Sequence, residues 1–230
     1  MPIIPNVCDI YHGNPVNFTE IAANGIWGCV HKARQGIGYG DPAYQGRQVA
    51  AKMVGLLWAA YDFSTGDNVA DNVKTFLSYA NLAPEDGACL DFEDNSVSEM
   101  TGDQAYEFLD RVCQARGTAC WIYGGSRIRE LIDQQDPDWI EMAKVAPLWQ
   151  SRYIGLQPED NSELFREINP IPPWTTNFMI QYTGDSEGPL PHTIPGLQNG
   201  ADLDVFNGTR DQLAAAWPGI AIQMTAPLTS

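Results

Sequence analysis

Short apolar runs, typical of buried β-strands, alternate along the chain with longer stretches that mix polar and apolar residues. The apolar runs cover residues 3–10, 26–33, 54–63, 87–93, 119–123, 145–153, 178–182 and 201–206. Alternation of strands with helices favours a parallel sheet whose helices pack on its faces. Because no Gly-rich phosphate-binding turn follows the first run, a doubly wound nucleotide-binding sheet is disfavoured. The pattern therefore predicts an α/β fold: an irregular TIM-like β/α barrel of about eight strands.

Helices are predicted most clearly between the early strands. The pair Asp41-Pro42 predicts a helix that runs to Met53, since Asp suits an N-cap and Pro the first helical position. Apolar residues at helical spacing predict another helix within residues 64–80. Thr101 is the expected N-cap of a third helix, and a fourth is expected around residues 128–134.

The chain length favours one domain. At 230 residues the chain can bury one sizeable core, and no repeat or linker divides it. We expect one barrel domain over residues 1–217 and a C-terminal tail over residues 218–230. Residues 154–177, which are rich in Pro, Asn and acidic residues, are predicted to form a loop.

The charge of the chain excludes some classes of partner. It has 13 Lys and Arg against 29 Asp and Glu, a formal net charge of −16. Nucleic acid requires a basic surface, so it is not expected as a partner. Insertion into a membrane is not expected either, because no apolar stretch approaches the roughly 20 residues of a transmembrane helix.

The cysteines and the N-terminus bear on where the protein is made. The five cysteines, an odd number without metal-type spacing, are predicted to be buried free thiols of a reducing compartment. The N-terminal residues carry no basic region and only a short apolar run, unlike a signal peptide. We therefore expect synthesis in the cytoplasm.

Acidic residues stand near the ends of several predicted strands, where the functional groups of β/α barrels lie. They include Asp9, Asp91, Glu93 and Asp202. Asp91 and Glu93 share one face of their strand, because alternate strand residues point the same way. An apolar surrounding and neighbouring carboxylates favour a protonated acid. One protonated acid beside charged neighbours is what a glycosidase needs.

Other interpretations of these acids stay open at this point. Several of 29 acidic residues fall near strand ends by chance, so a structural or solvated role is possible. Asp91, Glu93 and Asp94 could also bind a hard metal ion, although no calcium-loop spacing and no histidine cluster supports one. We expect neither a metal nor a cofactor. A Ser-His-Asp site is disfavoured because no Gly-x-Ser-x-Gly motif occurs.

Eight segments, in order along nearly the whole chain, resemble glycoside hydrolase family 25, a family of lysozymes. The first four are Cys8-Asp9-Ile10-Tyr11-His12-Gly13, Val30-His31-Lys32-Ala33-Arg34-Gln35-Gly36, Ala59-Ala60-Tyr61-Asp62-Phe63 and Leu90-Asp91-Phe92-Glu93. The last four are Ile122-Tyr123-Gly124, Pro147-Leu148-Trp149 with Arg152-Tyr153, Ile180-Gln181-Tyr182 and Gly200-Ala201-Asp202-Leu203-Asp204-Val205-Phe206. Each segment alone is a weak match, but eight in order are strong.

The resemblance implies a barrel with five helices that cleaves the β-1,4 bond between N-acetylmuramic acid and N-acetylglucosamine. It implies that Glu93 is the proton donor and that Asp91 orients the N-acetyl group of the substrate. Asp9 and Asp202 would complete an acidic ring. The residues expected to bind substrate are Tyr61, Tyr123, Gln181, Lys32 and Trp149.

The resemblance also suggests a biological setting. We expect a monomeric phage endolysin that acts on peptidoglycan and reaches the cell wall with the help of a holin. Asp62 stands where the family usually has His, which leaves the accepted wall chemotype open. Two alternatives remain: a non-catalytic glycan-binding barrel of a phage particle, and a glycosidase of another barrel family.

Overall fold

The computed structural model describes residues 2–95, 98–197 and 202–219. The strands are β1 Val7–Ile10, β2 Gly28–Gln35, β3 Tyr39–Gly40, β4 Leu57–Phe63, β5 Gly87–Asp91, β6 Trp121–Gly124, β7 Leu148–Ser151, β8 Met179–Thr183 and β9 Asp202–Val205. The helices are α1 Phe18–Ala23, α2 Tyr44–Met53, α3 Val69–Ala80, α4 Gly102–Arg116, α5 Ser126–Leu131, α6 Pro137–Val145, α7 Asn161–Glu167 and α8 Arg210–Ala216.

Eight of the strands close into a barrel in the order β1-β9-β8-β7-β6-β5-β4-β2, and β1 pairs with β2 to complete it. The predicted α/β barrel of about eight strands is therefore confirmed. One strand departs from the expected parallel arrangement, because β9 is antiparallel to both β1 and β8. The described part of the β8–β9 connection, residues 184–197, forms no helix that could carry the chain back for a parallel crossover.

The helices differ from the sequence-based expectation in number and in position. The described residues contain eight helices instead of five. Helix α6, with Asp136 as its N-cap, was not predicted, and α7 lies within the segment 154–177 that was expected to be a loop. The second helix begins at Tyr44, three residues after the expected N-cap. Asp41 still accepts a hydrogen bond from the Ala43 N–H at 2.9 Å, and its other oxygen accepts one from the His12 N–H.

The helix signals that do hold are those in which a cap and an apolar face agree. Thr101 forms a reciprocal capping box with Gln104 at the start of α4, as its position predicts.

The five cysteines are all free and buried, as expected. No helix in the described part of the chain is long and apolar enough to cross a membrane.

Helix α8, which follows the antiparallel strand β9, and the Trp217 that comes directly after it close one end of the barrel interior. Trp217 is fully buried there, its indole N–H donates to the carbonyl of Trp58 at 2.7 Å, and its ring lies 4.9 Å from that of Trp121. Gly28 leaves room for this ring, since a Cβ at that position would lie 2.6 Å from it. Residues 220–230, most of the expected tail, lie outside the described residues.

Truncation of this tryptophan tests whether it closes the bottom of the barrel. We expect Trp217→Ala to lower the free energy of unfolding by about 3–5 kcal/mol, the range for large buried aromatic side chains. Met53→Ala, at a side chain that is 82% exposed, should change it by less than about 0.5 kcal/mol. Urea unfolding followed by circular dichroism measures both. An equal effect of the two substitutions would contradict the packing described here.

Candidate active site

The acidic residues meet at one end of the barrel because of how the strands run. The parallel strands β1 and β5 carry Asp9 and Asp91 at their carboxyl ends, and Glu93 follows two residues later. Asp202 reaches the same end because β9 is antiparallel and begins there, paired with Asp9. All four acids line one open cleft of about 420 Å³, together with Asp185. The structure therefore brings together the acids that the sequence predicted.

The other walls of the cleft are mainly aromatic. They are formed by Tyr11, Tyr61, Phe63, Tyr123 and Tyr153, with Lys32 and Gln181 between them. Tyr61 and Tyr123 are almost fully buried, whereas Tyr11 and Tyr153 stand in solvent at the rim. The cleft thus combines carboxyl groups, which can hydrogen-bond to a ligand, with aromatic rings, which can pack against its apolar faces.

Asp91 and Glu93 owe their common direction to the strand geometry. The amide of Phe92 donates to the carbonyl of Tyr123 at 2.8 Å, so the strand pairing continues one residue beyond Asp91. The Phe92 side chain is fully buried in the layer between barrel and helices, on the side opposite to the two carboxyls. Ser64 further fixes this segment by donating its hydroxyl to the carbonyl of Glu93 at 3.3 Å.

Burial changes the acidity of these groups. The pKa of Asp91 is raised well above its ordinary value, first by burial and then by the charges of Glu93 and Asp9. The pKa of Glu93 is raised by burial and by the charge of Asp94, while the nearby Tyr123 hydroxyl acts in the opposite direction. Burial also raises the pKa of Asp9 to about 7 and that of Asp202 to about 8. The cleft therefore holds protons near neutral pH.

Gln181 organises the floor of the cleft. Its side-chain oxygen accepts hydrogen bonds from the hydroxyls of Tyr123 at 2.8 Å, Tyr153 at 2.7 Å and Ser151 at 3.3 Å. Its side-chain nitrogen donates to Asp9 Oδ2 at 2.8 Å. One amide thus connects strands β1, β6, β7 and the segment after β7, and it fixes the orientation of the Asp9 carboxyl.

Lys32 supplies positive charge to the cleft wall. Its ammonium group donates to Gln35 Oε1 at 2.8 Å and lies 4.6 Å from the centre of the Phe63 ring. Burial lowers its pKa, and the charge of Asp91 acts in the opposite direction. A cation at this position partly offsets the charge of the acids and stabilises their ionised forms.

Trp149 does not line the cleft, although the resemblance implied that it binds substrate. It is 1% exposed inside the barrel, below the floor of the cleft. Its ring lies 4.4 Å from that of Tyr123, and its indole N–H donates to Asp204 Oδ1 at 2.7 Å. The structure thus places this side chain where it supports other groups and has no surface for a ligand.

Three lining residues that the sequence analysis did not single out could have been found from strand periodicity. Tyr11 stands two residues after Asp9, and Phe63 stands two residues after Tyr61, so each shares a face with a residue already chosen. Tyr153 lies two residues beyond the end of β7 in the same way.

Asp62, the departure from the family pattern, points away from the cleft. It lies between Tyr61 and Phe63 on β4 and is fully buried on the outer face of the barrel. Neither of its carboxyl oxygens has a hydrogen bond of normal geometry within the described residues. Burial raises its pKa to about 7, and Asn72 and Arg34 act in the opposite direction.

This burial predicts a pH dependence of stability. The pKa of Asp62 is about 7 in the folded protein and about 3.9 in an unfolded chain, so folding takes up a proton between these values. Stability from this group is therefore present at low pH and is lost as pH rises from about 4 to 7. We expect Asp62→Asn to raise the free energy of unfolding at pH 8 by about 1–4 kcal/mol and to change it much less at pH 4.

Urea unfolding at the two pH values measures this effect, with Asp103→Asn on the exposed surface as the control. The control should leave the difference between the two pH values unchanged. A loss of stability at pH 8 in Asp62→Asn would mean that the ionised carboxylate is favourably paired in the native protein, contrary to this expectation.

Among the described residues, no group of three or more His, Cys, Asp or Glu side chains is arranged to hold a metal ion.

The sequence model of the family described as "Glycosyl hydrolases family 25" matches residues 8–189. No curated protein matches the chain.

Several solved structures have a similar fold. The muramidase from Trichobolus zukalii superposes with a TM-score of 0.72 at 22% identity, covering 92% of this chain and 97% of that one. The bacterial lysozyme from Streptomyces coelicolor gives a TM-score of 0.71 at 18% identity, covering 92% and 95%. The catalytic domain of endolysin ply40 from bacteriophage P40 of Listeria monocytogenes gives 0.66 at 15% identity, covering 96% and 98%.

Proposed function

Because the chain belongs to glycosyl hydrolases family 25 and is therefore a glycoside hydrolase, we propose that it is a muramidase with Glu93 as its general acid. Its substrate is peptidoglycan, and the bond that it hydrolyses is the β-1,4 bond between N-acetylmuramic acid and N-acetylglucosamine. The observation that carries this proposal is the cleft in which Glu93 lies beside Asp9, Asp91 and Asp202.

Glu93 has the properties that a general acid requires. Its raised pKa favours the protonated form, and it stands at the open end of the barrel where a glycosidic oxygen can reach it. When the bond breaks, the proton passes from Glu93 to the leaving oxygen. General acid assistance of this kind contributes roughly 10²–10⁴ in rate. Those neighbouring carboxyls that are ionised at the working pH then stabilise the positive charge that develops on the sugar ring.

Asp91 has a different role in this proposal, because it is deeper and more buried than Glu93. It orients the N-acetyl group of the substrate while the acetamido oxygen attacks the anomeric carbon. Water then opens the resulting cyclic intermediate, and Glu93 takes up a proton from that water. The sugar configuration is retained because the anomeric carbon is attacked twice. Attack by an enzyme carboxylate would give the same stereochemistry.

The remaining lining residues position the glycan. Asp9 and Asp202 accept hydrogen bonds from sugar hydroxyls, while Tyr61 and Tyr123 present hydroxyls and ring edges to the sugar rings. Gln181 holds Asp9 in place, and Lys32 offers positive charge to an anionic wall polymer. Trp149 acts from below, through its contact with Tyr123.

The biological setting that we propose is that of a phage endolysin. The similarity in fold to an endolysin catalytic domain supports this idea. The protein would be made in the host cytoplasm as a monomer, and a holin would give it access to the cell wall. Residues 1–217 would form the catalytic barrel.

Substitution of the proposed acid tests the function. We expect Glu93→Gln to reduce the release of reducing ends from purified peptidoglycan by about 10²- to 10⁴-fold, because the amide has no proton to give. Glu107→Gln, on the exposed surface of α4, is the matched control and should retain full activity.

Mass spectrometry of the digested wall identifies the bond that is cut, and a muramic acid reducing end is expected. A glucosamine reducing end would show a glucosaminidase instead. Tight binding of muropeptides without any turnover by the unmodified protein would show a glycan-binding barrel and overturn the proposal.

A further inference from the structure

A second layer of polar groups lies directly below the acids of the cleft. Asp204 is on β9, two residues after Asp202, so its side chain points into the barrel on the same side but one layer deeper. It is fully buried. The indole N–H of Trp149 donates to Asp204 Oδ1 at 2.7 Å. The other oxygen, Oδ2, has no hydrogen bond of normal geometry among the described residues.

The Asp9 carboxyl is close enough to Asp204 for their side chains to interact. Strands β1 and β9 pair so that Asp9 is opposite Asp202 and Val7 is opposite Asp204, which places Asp204 diagonally below Asp9. A side-chain interaction with Asp204 lowers the pKa of Asp9. Asp9 Oδ2 is already occupied by the Gln181 amide, so the other oxygen is the one available to Asp204.

Two buried carboxyls in contact cannot both be ionised, because the repulsion between their charges is not screened by water. The titratable groups that act most on Asp204 are Asp9 and Cys8 of β1 and Asp202 of β9, and all of them disfavour its ionised form. Tyr182 of β8 and Tyr153 after β7 also feel its charge. On β7, Trp149 offers a donor, which favours ionisation, but burial has the largest effect.

We propose that Asp204 stays protonated and donates its carboxyl proton in a hydrogen bond to the Asp9 carboxylate. It is thus a positioning residue: Asp9 is held between two donors, Gln181 on one oxygen and Asp204 on the other. Trp149 orients Asp204 by binding its remaining oxygen. This inference rests on the proposed function, in which Asp9 receives sugar hydroxyls.

Two substitutions separate this role from the alternatives. Asp204→Asn has nearly the same shape, can still donate to Asp9 through its amide, and can still accept from Trp149. Asp204→Leu keeps a similar volume but removes both hydrogen bonds. The quantity to follow is the acid limb of the pH profile of kcat/KM on peptidoglycan, which reports groups that must be ionised in the free enzyme.

We expect Asp204→Leu to reduce kcat/KM at least about tenfold and to move the acid limb about one pH unit upward, because Asp9 loses a donor that stabilises its charge. Asp204→Asn should restore most of that loss and return the acid limb to its original position. Glu107→Gln, which removes a carboxyl from the exposed surface of α4, is the control and should leave the acid limb where it is.

Other results would overturn the proposal. If Asp204 were ionised in the native protein, removal of its charge would lower the pKa of Asp9, and both variants would move the acid limb downward. An Asp204→Asn variant as impaired as Asp204→Leu would also contradict a donor role.

Infrared difference spectroscopy of the unmodified protein against Asp204→Asn at pH 8 tests the protonation state without any activity. A protonated carboxyl band that disappears in the variant is expected, and its absence from the unmodified protein would overturn the inference. If the unmodified protein proves inactive on peptidoglycan, the proposed function fails, while the infrared result still decides whether Asp204 carries a proton.

Discussion

Closure of the barrel is the constraint on which the site depends. Asp9 and Asp202 are separated by most of the chain, yet they are directly paired because β9 inserts between β1 and β8. The pairing of β1 with β2 then completes the ring and brings both acids to the end of β5, where Asp91 and Glu93 stand. A sheet left open between β1 and β2 would not bring these acids round a single cleft.

Closure also determines the electrostatics of the site. The space under the acids is filled by the rings of Trp121, Trp149 and Trp217, so water reaches the carboxyls from one side only. Limited hydration raises the pKa of Asp9 and that of Asp91. The negative charges of neighbouring acids raise both pKa values further. The same packing that stabilises the barrel therefore favours the protonated carboxyls that the proposed acid catalysis requires.

The sequence predicted the barrel and the acids because both depend on local patterns, namely apolar runs and acids at their ends. It did not predict that β9 is antiparallel, since strand direction depends on how the connection crosses the molecule. Asp41-Pro42 and Asp136-Pro137 carry the same helix-start signal, and both aspartates accept a hydrogen bond from the N–H two residues on. The first pair nevertheless leads into a turn before the helix begins at Tyr44, which the local pattern does not predict. The buried position of Trp149 depends on contacts between distant strands.

The proposed function requires Glu93 to keep its proton, which burial and the charge of Asp94 favour. Nuclear magnetic resonance titration of the protein labelled with ¹³C at the glutamate side-chain carboxyl carbons measures this directly, with the Glu93 signal assigned by its loss in Glu93→Gln. We expect this carbon to titrate above the ordinary value for glutamate, about 4.3. Titration at or below that value would contradict it.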